Sequence, residues 1–148
     1  MNRKTFLYTA LCLPLLLRRS TAATSRITVY KDPTCGCCGK WAEHLRSNGF
    51  EVTVQETKDL ATYRKKYGVP ESLASCHTGV VDGYAIEGHV PAREIQRLLK
   101  ERPQAKGLAV PGMPVGSPGM EATKAQAYSV MVFDDAGRSQ VYQSYAAR

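Results

Sequence analysis

Three cysteines fall within four residues, Cys35-Gly36-Cys37-Cys38, where a strand-like run gives way to a helical one. Upstream, Ile27-Thr28-Val29-Tyr30 is rich in β-branched and aromatic residues, and Asp32-Pro33-Thr34 supplies a turn. Downstream, Trp41, Ala42 and Leu45 recur at helical spacing and give the helix an inner face. A strand that feeds directly into a helix delivers Cys35 to the helix N-terminus. There the unpaired backbone N–H groups and the dipole favour a thiolate. A thiolate is a nucleophile, a redox centre and a soft metal ligand. A more distant cysteine, Cys76, bears on which of these chemistries applies.

The same local rules extend along the chain. The first helix is expected over about 35–48, stopped by Gly49 in a left-handed conformation. Phe50 to Val54 alternates and predicts a second strand. Asp59 suits the cap of a helix carrying Leu60, Tyr63 and Tyr67, ended by Gly68 and Pro70. Thr78-Gly79-Val80-Val81 and Tyr84-Ala85-Ile86, joined by Asp82-Gly83, predict a hairpin. Pro91 fits the first turn of a helix burying Ile95, Leu98 and Leu99, closed at Arg102-Pro103. The order is β-α-β-α-β-β-α, a small α/β sandwich. Residues 106–148 read as a Pro/Gly-rich loop followed by a β-hairpin from Tyr128-Ser129-Val130-Met131-Val132-Phe133 and Gln140-Val141-Tyr142. A lone hairpin is marginal, so it is expected to pack on the domain with the loop drawn across its surface.

Residues 1–23 read as an export signal: a basic start at Arg3-Lys4, an apolar run from Thr5 to Leu17 too short to span a bilayer, and small residues at Ser20-Thr21-Ala22-Ala23. Residues 24–148 are then a single mature domain in the periplasm, with no membrane attachment after cleavage. Loss of Arg3, Lys4, Arg18 and Arg19 lowers the net charge from +7 to +3. The remaining basic residues are scattered, and no basic stripe with interleaved aromatics points to nucleic acid. Cys12 leaves with the signal, so the mature chain keeps Cys35, Cys37, Cys38 and Cys76.

Two resemblances rest on these residues. Tyr30 to Cys38 and the Val81-to-Gly88 hairpin resemble the thioredoxin and glutaredoxin fold. The chain departs from it where that fold keeps a proline beside its dithiol, because Ser75-Cys76-His77-Thr78 stands there. More closely, the chain resembles an exported bacterial family of metal-binding proteins, catalogued as a domain of unknown function, that includes a copper-resistance protein. The matching stretches are Tyr30 to Cys38, Trp41 with His44-Leu45, Gly49-Phe50, Gly68-Val69-Pro70, Ser75 to Thr78, Glu87 to Ala92, Gly107 to Pro114 and Gly116 to Glu121. The resemblance implies a thioredoxin-like α/β fold and a periplasmic role in copper handling.

Four thiolates suit copper(I), alone or bridging several ions, since four such ions would neutralise their charge. Zinc is the alternative metal, although its usual spacing is two CxxC pairs rather than CxCC plus a distant cysteine. Two rivals remain open. One is a thiol-disulfide oxidoreductase with Cys35 as nucleophile and Cys38 resolving. The other is a module stapled by two disulfides, in which Cys35–Cys38 would leave Cys37 to reach Cys76, or Cys37 and Cys38 would form a rare vicinal bond. A mixed behaviour is also expected, with thiols that bind copper when reduced and pair when empty. Around the thiols, His77 adjoins Cys76, and His89 begins a loop expected on the same edge. Met113 and Met120 offer thioethers from the Pro/Gly-rich loop. His44, roughly 10 Å along the helix from Cys37, is expected outside the site. Expected partners are copper ions and periplasmic copper chaperones or efflux components.

Overall fold

The computed structural model describes residues 24–148; the expected export signal lies outside the described residues. The strands are β1 Arg26–Lys31, β2 Glu51–Glu56, β3 His77–Val81, β4 Tyr84–Glu87, β5 Gly107–Ala109, β6 Tyr128–Phe133 and β7 Ser139–Tyr145. All seven form one sheet with order β2-β1-β3-β4-β5-β6-β7. The helices are α1 Gly36–Ser47, α2 Leu60–Tyr67 and α3 Ala92–Glu101, with a short 3-10 turn at Glu71–Leu73. The expected α/β class and the β-α-β-α-β-β-α order are met, and the local signals explain why. Gly49 has φ +87 just past α1. The Asp59 side chain accepts from Thr62 N–H at the start of α2. Asp82 and Gly83 both have positive φ, as a two-residue hairpin turn of the right twist demands.

One strand departs from the reading. Gly107–Ala109 is not loop but β5, parallel to β4 and antiparallel to β6. Through it the C-terminal hairpin continues the central sheet instead of resting against a finished domain. Three residues are too short a run for a periodicity signal, and their neighbours Pro111, Gly112 and Pro114 read as loop. β7 also runs on to Tyr145, beyond the expected Tyr142.

The larger core lies between the sheet and α1 with α3, where Trp41, Leu45, Ile95 and Leu98 pack on Ile27, Val29, Ile86 and Leu108, all fully buried. A smaller cluster of Val69, Leu73, Ala85, Ala109 and Phe133 forms a second core. α2 contributes no fully buried residue, and its Tyr63 and Tyr67 stack on Tyr30 of β1.

Sheet pairing decides what meets at the sheet end. β1 is antiparallel to β3 with Lys31 opposite His77, so the turn after β1 and Cys76 just before β3 lie side by side. β3 is antiparallel to β4 with Thr78 opposite Glu87, which brings Gly88-His89 to the same edge. β4 is parallel to β5 with Glu87 opposite Ala109, so the segment from Val110 onward leaves there too.

Candidate metal centre

The turn that presents the thiols is fixed from below. Asp32 Oδ1 accepts from Thr34 N–H at 2.8 Å, and the Asp32 carbonyl accepts from Cys35 N–H at 3.0 Å. The buried Lys31 ammonium reaches the same carbonyl at 2.9 Å. Cys35 caps α1, while Cys37 and Cys38 sit in its first turn. At this sheet edge, Cys35, Cys37, Cys38 and Cys76 place their sulfurs within 4.8 Å of one another. Cys35 and Cys38 are joined in a disulfide, and Cys37 and Cys76 are free thiols. The double staple is therefore not formed. Cys37 Sγ lies 3.5 Å from Cys35 Sγ, and Cys38 Sγ lies 3.5 Å from the Cys76 carbonyl oxygen.

The histidines close in on Cys76. His89 Nε2 is 3.1 Å and His77 Nδ1 3.3 Å from its sulfur. His89 Nδ1 donates to the Pro118 carbonyl at 2.7 Å, which fixes the tautomer and leaves the Nε2 lone pair facing the thiol. Burial holds both imidazoles below the ordinary histidine range, with His77 at about 3, so both are neutral. His77 Nε2 is buried with no hydrogen-bond partner among the described residues. Burial pushes the Cys76 thiol up to about 12. It is thus a protonated thiol rather than a free nucleophile, and a metal would have to displace its proton. Neutral imidazole lone pairs beside clustered sulfurs form a soft donor set.

The two methionines separate. Met113 Sδ lies 3.9 Å from Cys37 Sγ with its side chain half exposed. Met120 instead lines a neighbouring groove of about 400 Å³ with Cys37, Lys40, Val115 and Glu121. The loop carrying both passes at backbone distance over α1: a Cβ on Gly119 would stand 2.9 Å from Cys37 O and Trp41 N. Trp41 packs beneath, donating its indole N–H to Val90 O and lying against the His77 ring. Sequence reasoning missed Glu87, Arg64 and Ser75 behind Cys76. A glutamate ending an apolar strand, opposite Thr78, was the available signal.

His44 faces away, its Nε2 accepting from Ala92 N–H at the start of α3. Burial lowers its pKa, so the folded state binds this proton less readily than the unfolded chain. Above about pH 6.5 the effect is nil; as pH falls below that toward the depressed folded value, stability falls, and the loss then saturates. Thermal melts of the metal-free protein are expected to drop between pH 7 and pH 5. His44→Gln should flatten that decline in part, because His77 and His89 titrate in the same sense. An unchanged slope would remove His44 from the account.

A family profile described as "Protein of unknown function, DUF411" matches residues 73–120, which hold Cys76, both buried histidines and both loop methionines. Two solved structures align with the chain: "Copper resistance protein copG", Form 1, at 48% identity and TM-score 0.78, covering 82% of this chain and 97% of that chain; and Form 2, at 47% identity and TM-score 0.79, covering 82% and 98%. No curated protein matches. No helix among the described residues is long and apolar enough to cross a membrane.

Proposed function

Because this chain belongs to the family of the copper resistance protein copG, we propose that it is a periplasmic copper(I)-binding protein serving copper tolerance. The observation that carries the reading is the convergence of four cysteine sulfurs within 4.8 Å at one sheet edge. Cys35, Cys37, Cys38 and Cys76 are the thiolate ligands. His89 Nε2 and His77 Nδ1 complete the set from the Cys76 side. Copper is preferred over zinc because thiolates and a thioether dominate the donors, and soft ligands select copper(I). Sulfurs this close can bridge, so a small polynuclear cluster is the form best matched to four negative charges. Met113, half exposed and next to Cys37, is placed to take copper from a chaperone or pass it to an efflux component. Met120 lies one step further along the groove.

The Cys35–Cys38 disulfide supports a redox element in this function. Reduction by an external dithiol adds two electrons and two protons, giving two thiols that lose those protons on binding copper; reoxidation by an external disulfide, which takes up the two electrons, would release the metal. The same disulfide is what favours the second reading, a thiol-disulfide oxidoreductase. Anaerobic titration of the reduced protein with copper(I), with metal analysis and thiol counting, separates them. At least one tightly held copper per chain with four protected thiols is expected, together with no insulin reduction. Negligible copper with active insulin reduction would establish the enzyme instead.

A further inference from the structure

Cys76 is the one proposed cysteine ligand that lies outside the Cys35–Cys38 turn at the start of α1. Its place depends on the short segment between the 3-10 turn and β3, and that segment is fastened at Ser75. Ser75 N–H donates to Glu87 Oε1 at 2.7 Å, its carbonyl accepts from the Arg64 guanidinium, and its hydroxyl donates to the Gly112 carbonyl. Glu87 is fully buried and also accepts from Arg64 Nε at 2.8 Å and Thr78 Oγ1 at 2.6 Å. Arg64 thus grips the carboxylate and the Ser75 carbonyl together, a fork that lysine cannot reproduce. The next residue, Gly88, has φ +71, and a Cβ there would fall 2.5 Å from both Ser75 Oγ and Val110 O. Three segments therefore close on Ser75: α2, the end of β4, and the strap that carries Met113.

A buried ion pair gains little stability over apolar packing of the same volume. What this one supplies is direction. We propose that the Arg64–Glu87 pair is the positioning element of the metal centre, holding Cys76 against the Cys35–Cys38 turn and, through Ser75 and Gly112, setting Met113 over Cys37. Neither residue touches the metal, and the inference rests on the copper(I) reading above. Supporting groups behind metal ligands typically change affinity 10- to 100-fold, and an effect of that order is expected here.

The experiment is a double-mutant cycle on the full mature chain, read by copper(I) competition with a chromophoric chelator under anaerobic reducing conditions. Glu87→Gln should weaken copper(I) about 10- to 100-fold. In a Cys76→Ser background the same substitution should change affinity less than about 3-fold, because the thiol it positions is gone. Equal losses in both backgrounds would reduce the pair to a general structural role, and no loss in either would also overturn the proposal. Arg64→Lys keeps the charge balance and is the variant to use if Glu87→Gln fails to fold. In parallel, alkylation of the reduced, metal-free protein should show Cys76 reacting at least about tenfold faster in either variant. Unaltered Cys76 reactivity refutes the positioning role. That readout needs no metal, so it stands even if the wild-type protein binds no copper, an outcome that would defeat the proposed function alone.

Discussion

Gly107→Ala is expected to be among the most damaging single substitutions in this chain. A Cβ at Gly107 would stand 1.9 Å from the Ala85 carbonyl oxygen, 2.7 Å from its carbon and 3.0 Å from its nitrogen. These are backbone atoms of the paired strand and cannot swing aside as a side chain would. β5 has only three residues, and Gly107 faces Ala85 on one side and Phe133 on the other, so a shift there unzips the joint between β4 and β6. We expect a loss above about 4 kcal/mol, a large share of the roughly 5–15 kcal/mol that holds such a domain together. Urea denaturation measures it. Gly36→Ala is the control, since nothing lies within 4 Å of a Cβ there and α1 would gain helix propensity. A Gly107→Ala protein within about 1 kcal/mol of wild type would show that β5 is not pinned as described. The consequence reaches the site as well. The strap bearing Met113 and Pro118 leaves directly from β5, so displacing that strand should free His89 from the Pro118 carbonyl.

Cys76→Ser is expected to have the largest effect on metal binding with little effect on folding. The residue is only partly buried and serine nearly preserves its shape, so stability should change by less than about 1 kcal/mol. A four-ligand thiolate site is worth roughly 10–16 kcal/mol for a structural metal, or about 3 kcal/mol per ligand. Removing the one thiolate that comes from outside the Cys35–Cys38 turn should therefore weaken copper(I) by about 100-fold or more and lower the number of ions held per chain. Cys76 is also the sulfur that His77 and His89 face, so its loss isolates both imidazoles from the cluster. Copper binding by Cys76→Ser equal to wild type, in both amount and affinity, would leave only the Cys35–Cys38 turn as the site and would sink the four-thiolate centre.

The elements that carry the cysteines were readable residue by residue. Gly49, Asp59 and Asp82-Gly83 each mark a boundary through backbone chemistry that acts over a few residues, and the structure places stops, caps and turns at those positions. β5 was not readable, because a three-residue strand is defined by its neighbours rather than by its own pattern. The role of His89 was half readable. Its position before Pro91 put it near the edge, but only the Pro118 carbonyl, 29 residues away, decides which ring nitrogen faces the thiol. Glu87 shows the same limit. In the sequence it is a charged residue at a strand end, while in the fold it is a buried acceptor for Arg64, Ser75 and Thr78.

By itself, then, the sequence determined the donor inventory and the strand-to-helix junction that presents Cys35, Cys37 and Cys38. Periodicity, turn residues and caps encode such junctions locally. Only the tertiary structure decided the geometry in which Cys76, both imidazoles and Met113 meet at that junction. Their arrival depends on the antiparallel register of β1 with β3 and the parallel register of β4 with β5. Those pairings are set by long-range backbone hydrogen bonds and shared core packing, which no short window of residues contains.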